Sequence, residues 1–346
     1  MDINLISDTV TKPTPGMLNA MMSTQVGDDV FKNDPSINKL EEKVAGMFGM
    51  EAALFFPSGT MANQAAIKIH TNPGDQLICD KYAHVYNYEG GGVSFNSGVS
   101  CKLVDGHRGM MTAAQVEASI NPPDFYHSPL TSLVCIENTT NKGGGACWDF
   151  NEIRNIRQVC DDHKLALHLD GARLWNALVA KNETPAQYGE VFDTISVCLS
   201  KGLGCPVGSV LVGSEVAMQQ ALRIRKILGG GMRQAGYLAA AGTYALDNHI
   251  QRLAKDHKKA SEIGEVLKKC SFIKKVEPIE TNIIIYTLMD DIDERDFVVQ
   301  LERDGIYIIG MGQGKLRIVT HLDYTDAMHD KFLSVIKTLE VKKTTV

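Results

Sequence analysis

Short apolar segments alternate with longer helix-like stretches between about residues 40 and 245, and this alternation constrains the fold more than any other feature. The helix-like stretches repeat apolar residues at helical spacing and cover residues 61–70, 151–163 and 215–227. The β-like segments lie at residues 77–80, 132–137, 166–170, 194–198 and 209–212. The pattern predicts an α/β fold, in which helices cover both faces of a mostly parallel sheet.

The character of the chain changes after the glycine run at residues 229–231. Residues 234–268 predict one or two long helices. A strand at 282–286, an acidic helix at 291–304 and a strand at 316–320 then indicate a small α+β unit. We therefore predict three parts. They are an N-terminal arm that is not a core element (1–30), a large domain (31–245) and a small C-terminal domain (246–346).

Charge and cysteine content exclude several classes of protein. The formal net charge of −6 is spread along 346 residues without a basic tract, which argues against nucleic acid or an anionic membrane as a partner. No apolar run reaches membrane-spanning length, and Asp2 stands where a signal peptide would be basic. The eight cysteines form no CxxC pair, and Cys160 with His163 lacks a second ligand pair, so we expect reduced thiols, no metal site and a cytoplasmic protein.

Lys201 and Asp170 are the residues most indicative of chemistry. Lys201 follows the β-like segment at 194–198 and precedes a glycine-rich turn, from which an amine can reach a cofactor. Asp170 ends an apolar strand, at the edge where open α/β sheets bind ligands. A lysine that forms a Schiff base and an acid that keeps a pyridine nitrogen protonated indicate pyridoxal 5′-phosphate. The alternative for Asp170 is a structural salt bridge to Arg173.

Three further features fit such a site. Ser58, Gly59 and Thr60 open a helix after an apolar segment, where backbone N–H groups favour a phosphate, although an ordinary helix cap would look the same. His84 follows a strand and could stack on a flat ring or transfer protons, or be merely structural. Guanidinium groups that could bind an amino-acid carboxylate, or form surface ion pairs, occur at Arg173, Arg233 and Arg317.

These residues belong to a larger set of motifs, at residues 7–11, 26–30, 34–35, 58–63, 83–84, 137–139, 168–173, 199–204, 206–208, 229–234 and 317–321. Along nearly its whole length the chain resembles the low-specificity L-threonine aldolases of the fold-type I pyridoxal-phosphate enzymes. The resemblance implies an aspartate aminotransferase-like large domain with a mostly parallel seven-stranded sheet, and a small α+β C-terminal domain. It also implies a homodimer or homotetramer with shared active sites.

The resemblance also implies roles for individual residues. Lys201 would be the Schiff-base lysine, Asp170 would bind the pyridine nitrogen, His84 would stack on the ring and His127 would lie near the substrate hydroxyl. The cofactor-binding set would be Ser58, Gly59, Thr60, His84, Asp170, Arg173, Lys201, Lys226 and Arg233, with Lys226 and Arg233 reaching the phosphate of a neighbouring subunit. The substrate would be held by Ser7, His127, Arg173 and Arg317.

The expected reaction is retro-aldol cleavage of L-threonine, L-allo-threonine and related β-hydroxy-α-amino acids to glycine and an aldehyde, with His84 or His127 as the base. Two positions depart from the family pattern, Thr140 in place of a histidine and Phe31 in place of a tyrosine, and both could alter the pocket for the β-substituent.

Alternatives to this reaction remain open at this point. A β-eliminating amino-acid lyase or an aminotransferase would share the cofactor residues. A nicotinamide-dependent dehydrogenase would need a G-x-G-x-x-G helix opening after the first strand, which the sequence lacks. A non-catalytic binding protein on this fold would need Lys201 or Asp170 to be replaced, and both are present.

Overall fold

The computed structural model describes residues 2–341. Its strands are β1 (Ile3–Asn4), β2 (Ala52–Phe56), β3 (Gln76–Asp80), β4 (Ser100–Val104), β5 (Thr131–Glu137), β6 (Ala166–Gly171), β7 (Thr194–Cys198), β8 (Ser209–Gly213), β9 (Ile273–Val276), β10 (Ile283–Leu288), β11 (Ile306–Tyr307), β12 (Ile309–Gly312) and β13 (Lys315–Val319). Its helices are α1 (Pro15–Ser23), α2 (Pro35–Phe48), α3 (Gly59–His70), α4 (His84–Asn87), α5 (Gly92–Ser97), α6 (Ala113–Glu117), α7 (Phe150–His163), α8 (Leu174–Lys181), α9 (Pro185–Gly189), α10 (Glu215–Ile227), α11 (Gly236–Asn248), α12 (Leu253–Leu267), α13 (Glu294–Arg303) and α14 (Asp326–Thr338).

A seven-stranded sheet in the order β2-β8-β7-β6-β5-β3-β4 forms the centre of the large domain. All pairs from β7 to β4 are parallel, and β8 runs antiparallel to both of its neighbours. The mostly parallel α/β fold is thus confirmed. Every residue of β3, β7 and β8 is buried, as expected for strands with helices on both faces.

A second, antiparallel sheet in the order β12-β13-β10-β9 lies in the C-terminal part, as the strand and helix pattern after residue 282 predicted. Its core includes Ile284, Tyr286 and Leu316, together with residues of α12, α13 and α14. The change between the two main cores falls between Leu253 and Ala260 of α12. The predicted domain boundary at 245/246 lies inside α11 and stays a prediction.

The N-terminal segment needs a correction, because it contributes to both cores. Ile3 and Leu5 are fully buried in the C-terminal core, and Met17 of α1 is fully buried in the large-domain core. β1 pairs in parallel with β11, and its alternation directs Ile3 and Leu5 inward. The polar composition of residues 1–30 concealed this short apolar pattern.

None of the helices within residues 2–341 has both the length and the apolar character that crossing a bilayer requires. All eight cysteines are unpaired, and six of them are buried.

Candidate active site

A cavity of about 320 Å³ lies where the carboxyl ends of β6 and β7 meet the beginning of α3. The predicted residues that line it are Ser58, Gly59, Thr60, His84, Asp170 and Lys201. Parallel strands place their carboxyl ends at one edge of a sheet, so side chains distant in sequence converge there. A larger cleft of about 580 Å³, lined by residues of the ranges 32–54 and 215–222, contains none of the predicted site residues.

Lys201 lies in the loop between β7 and β8. Its Nζ is 3.2 Å from the Cys198 Sγ, and its backbone carbonyl accepts hydrogen bonds from the Thr11 hydroxyl (2.9 Å) and the Gly204 N–H (2.8 Å). Burial lowers the pKa of Lys201, but the nearby Cys198, Asp170 and Asp8 outweigh burial and raise that pKa above its ordinary value. The loop therefore holds an amine at the cavity within the field of several acids.

Asp170 ends β6 and is 2% exposed. One of its oxygens accepts the Ala172 backbone N–H (3.0 Å), and the other accepts the Asn63 side-chain amide (2.9 Å). Within residues 2–341 no lysine or arginine forms an ion pair with Asp170; Arg173 binds Asp8 instead. The alternative of a structural Asp170–Arg173 salt bridge is therefore wrong, and the carboxylate has hydrogen bonds but no direct cation.

Arg173 acts on Lys201 through its charge, and Arg317 lies close to Arg173. Arg173 forms a bidentate pair with Asp8, at 2.8 Å through Nε and 2.7 Å through Nη2, and both side chains are buried. Arg317 of β13 donates to the Asn141 side chain (2.8 Å) and the Ile6 carbonyl (3.1 Å), while its buried Nε has no hydrogen-bond partner. Burial and then the charge of Arg173 lower the pKa of Arg317. Arg317 thus retains an unused donor next to a second guanidinium.

His84 begins α4 and is held at two points. Its backbone N–H donates to Glu137 Oε2 (2.9 Å), and its ring Nδ1 lies 2.9 Å from Glu89 Oε1. Burial lowers the pKa of His84, but the hydrogen bond to Glu89 and the charges of Asp170, Glu89 and Glu137 outweigh it, so the pKa is raised. Burial and the charge of Asp170 raise the pKa of Glu137 to about 7.

Ser58, Gly59 and Thr60 form the amino end of α3. The Ser58 hydroxyl caps the helix by accepting the Met61 N–H (3.2 Å), as the ordinary-cap alternative expected. Gly59 fits closely, because a Cβ at that position would lie 2.7 Å from Cys198 Sγ. The remaining N–H groups of the first turn still make this end attractive to an anion.

His127 does not line the cavity of its own chain, and its predicted place near the substrate hydroxyl stays a prediction. It is exposed, with its ring centroid 4.0 Å from that of Tyr126. The loop that carries it leads into the amino end of β5, whereas the cavity lies at the carboxyl ends of the strands. The two departures from the family pattern also lie outside the cavity lining. Thr140 is buried and donates to the Arg108 carbonyl, and Phe31 is 69% exposed.

Ser7, Lys226 and Arg233 do not line the cavity. Ser7 is buried, and its hydroxyl accepts the Thr9 N–H (3.2 Å). Lys226 is exposed, and Arg233 is exposed and paired with Asp28 at 2.9 Å. Neither cation reaches the cavity of its own chain.

Sequence reasoning missed Asp8, Asn63, Glu89 and Cys198, four residues that contact the predicted ones. Asn63 had a usable signal, since it follows Gly59 by four residues and therefore shares its helix face. The sequence signal for Glu89 was weaker: it is an acid directly before three glycines and about one helical turn after His84.

The residues of the cavity fit pyridoxal phosphate. The polar groups are a lysine amine, a buried carboxylate that accepts two N–H hydrogen bonds, and a helix amino end without an acid in its first turn. The close approach of Gly59 to Cys198 brings that helix end to the strand that precedes Lys201.

The chain is similar in sequence and in fold to known proteins. A family model described as "Beta-eliminating lyase" matches residues 4–291. The chain is 40% identical to the "Probable low-specificity L-threonine aldolase 2" of Arabidopsis thaliana over 339 residues, 96% of this chain and 95% of the relative. It is 41% identical to the "Low specificity L-threonine aldolase" of Escherichia coli O157:H7 over 268 residues, 77% of this chain and 79% of the relative. The solved Leishmania major threonine aldolase has a TM-score of 0.84 at 21% identity, covering 97% of this chain and 98% of that one, which supports the fold.

Proposed function

The chain belongs to the beta-eliminating lyase family and, within it, to the low-specificity L-threonine aldolases, and we propose that it is a pyridoxal-phosphate-dependent aldolase. It cleaves L-threonine, L-allo-threonine and related β-hydroxy-α-amino acids to glycine and an aldehyde, which is acetaldehyde for threonine. The observation that carries the proposal is the placement of Lys201 and Asp170 in one cavity. Arg173 is close enough to act on Lys201 through its charge, and Arg317 is close to Arg173.

Lys201 would carry the cofactor, Asp170 would bind its ring nitrogen, and the first turn of α3 would face its phosphate. When bound, pyridoxal phosphate accepts the electrons of the broken Cα–Cβ bond. The protein contributes the charged side chains and holds them in position. Asn63 and Ala172 donate hydrogen bonds to the two oxygens of Asp170 and so fix the orientation of the carboxylate.

Recognition of the substrate carboxylate is assigned to Arg317, together with Arg173 and Ser7. Arg317 carries a guanidinium with one N–H that has no hydrogen-bond partner, and its charge would attract a carboxylate. Asp8 fixes the guanidinium of Arg173 in one orientation while leaving its Nη1 without a bond to Asp8. The charge of Arg173 lowers the pKa of Arg317, so the two guanidinium groups repel each other. A negative group close to both would reduce this repulsion, which favours binding of an anion.

Proton transfer at the substrate hydroxyl is assigned to His84 in preference to His127. His84 lines the cavity, whereas His127 is exposed at the other edge of the sheet in its own chain. A base must be within hydrogen-bond reach of the proton that it removes, directly or through one water.

Arg317→Ala is expected to raise the KM for threonine about tenfold to a hundredfold and to leave the bound cofactor in place, because a charged hydrogen bond to the substrate is lost. Initial rates over a range of threonine concentrations, with the visible spectrum of the same protein, measure both effects. Arg154→Ala, which removes an exposed arginine over Phe150, is the matched control. An unchanged KM would contradict carboxylate binding by Arg317.

Product identity tests the reaction itself. Purified protein with added pyridoxal phosphate should release equal amounts of glycine and acetaldehyde from L-threonine. Pyruvate and ammonia formed from serine would instead indicate a β-eliminating lyase, and exchange with a keto acid would indicate an aminotransferase. These are the nearest alternatives, since the cofactor residues would be the same.

The protein is further proposed to act as a homodimer or homotetramer in the cytoplasm. Lys226 and Arg233 can serve a phosphate only in another copy, since they lie outside their own cavity. Ile227, next to Lys226 in sequence, is 76% exposed, and Phe31, three residues from the Asp28 that pairs with Arg233, is 69% exposed. Such exposed apolar side chains are expected of a surface that a second copy covers. The unpaired cysteines support a reducing compartment.

A further inference from the structure

We propose that Glu89 is a positioning residue, which fixes the ring of His84 with Nδ1 protonated and Nε2 free for the cavity. The inference rests on the proposed function where it assigns His84 a proton-transfer role. Its structural part, the effect of Glu89 on the His84 ring, stands without that role.

Glu89 is held more firmly than a surface acid. Its side chain has no exposed area, and both of its oxygens accept hydrogen bonds. Oε1 accepts from Asn63 Nδ2 (2.9 Å) and contacts His84 Nδ1 (2.9 Å), while Oε2 accepts from Gln64 Nε2 (2.6 Å). Three partners in a buried setting leave the carboxylate one orientation, so it can fix the ring bonded to it.

The direction of these hydrogen bonds determines the tautomer of His84. Asn63 Nδ2 lies 2.9 Å from carboxylate oxygens of both Asp170 and Glu89, whereas Asn63 Oδ1 accepts from the Ser196 hydroxyl (2.6 Å). A flipped amide would direct its oxygen at two carboxylates, so the donors face the acids. Glu89 then acts as an acceptor towards His84 as well, and Nδ1 must carry the hydrogen.

Within residues 2–341, His84 Nε2 has no hydrogen-bond partner, and the side chain is 32% exposed. The other groups that face the ring come from several elements. Asp170 of β6 and Glu137 of β5 act through charge, and the Tyr88 ring lies 5.6 Å away between centroids. None of these three groups forms a hydrogen bond with the ring, whereas Glu89 does. Glu89 is therefore the group that orients the imidazole.

His84, Glu89 and Asp170 offer polar atoms within 4.8 Å of one another, a spacing that a metal ion could also use. We assign no metal to them, because the Asn63 amide already donates to both carboxylates. The same contacts resemble the arrangement in which a buried acid orients a histidine base.

The structural part is tested by NMR titration of ¹³C-histidine-labelled holoenzyme. Glu89→Gln should lower the pKa of His84, because the negative charge that favours the protonated ring is lost, and should move the neutral ring away from a single tautomer. The control is Glu262→Gln, which removes the acid 2.8 Å from His329 and should leave His84 unchanged. If Glu89→Gln does not fold, Glu89→Asp is the second variant. Its side chain is one methylene shorter, which moves the negative charge away from the ring and should also lower the pKa of His84. An unchanged His84 titration in the folded variant would overturn the proposal.

Kinetics test whether Glu89 acts through His84. Glu89→Gln should lower kcat about tenfold to a hundredfold and move the acidic limb of the kcat/KM profile to lower pH. In a His84→Phe background the same change should have almost no further effect on kcat, since the oriented group is gone. Additive losses would overturn the positioning role. Absence of threonine cleavage in the unmodified enzyme would instead contradict the proposed function, and the NMR result would still decide the effect of Glu89 on His84.

Discussion

Lys201→Ala is expected to lower threonine cleavage on the order of 10⁴-fold or more and to remove the visible absorption band of the purified protein. Lys201 is the lysine of the cavity lining, and its Nζ lies 3.2 Å from Cys198 Sγ. Without that amine the cofactor has no covalent attachment, so the protein should be isolated with little or none bound.

Two measurements separate this effect from unfolding. The thermal transition of the apoprotein should change little, because alanine leaves the Lys201 carbonyl and its bonds from Thr11 and Gly204 in place. Lys102→Ala, which removes an exposed lysine of the edge strand β4, should keep both the activity and the absorption band. A band in Lys201→Ala that borohydride still traps covalently would assign the cofactor to another lysine.

The large sheet could be predicted because each of its buried strands leaves a short apolar segment in the sequence. Five of the seven large-sheet strands were placed from apolar segments of four to six residues, and buried parallel strands produce such segments. β4 carries little of that signal, since it is an edge strand whose residues are mostly exposed. β1 is only two residues long and owes its burial to β11, about 300 positions away, which no local pattern records.

The candidate site could be predicted in part for the same reason. Lys201, Asp170 and His84 stand at or just beyond the ends of strands, and strand ends are recognisable in the sequence. Their partners are not, since Asp8 meets Arg173 across 165 positions and Asn63 meets Asp170 across 107. His127 lies apart from the cavity of its own chain, because the strand that follows its loop determines at which edge of the sheet it lies, and its role stays a prediction.

Asp170→Asn is expected to lower kcat about 10²- to 10³-fold while the cofactor stays attached to Lys201. The carboxylate is the buried acid assigned to the ring nitrogen, and an amide in its place carries no charge to keep that nitrogen protonated. The visible band should therefore persist, in contrast to Lys201→Ala.

The surroundings of Asp170 indicate how the fold will respond. Asn63 and Ala172 both donate to it, so an asparagine can accept only through its one carbonyl oxygen and must turn a donor towards the other N–H. Some loss of stability should follow, and calorimetry of the holoenzyme would measure it. Asp105→Asn, an exposed acid paired with Lys81, should lower neither the rate nor the transition temperature appreciably. Normal turnover by folded Asp170→Asn would mean that the charge which activates the ring comes from another group, and Glu137, the strand neighbour of Asp170, would then be the next residue to test.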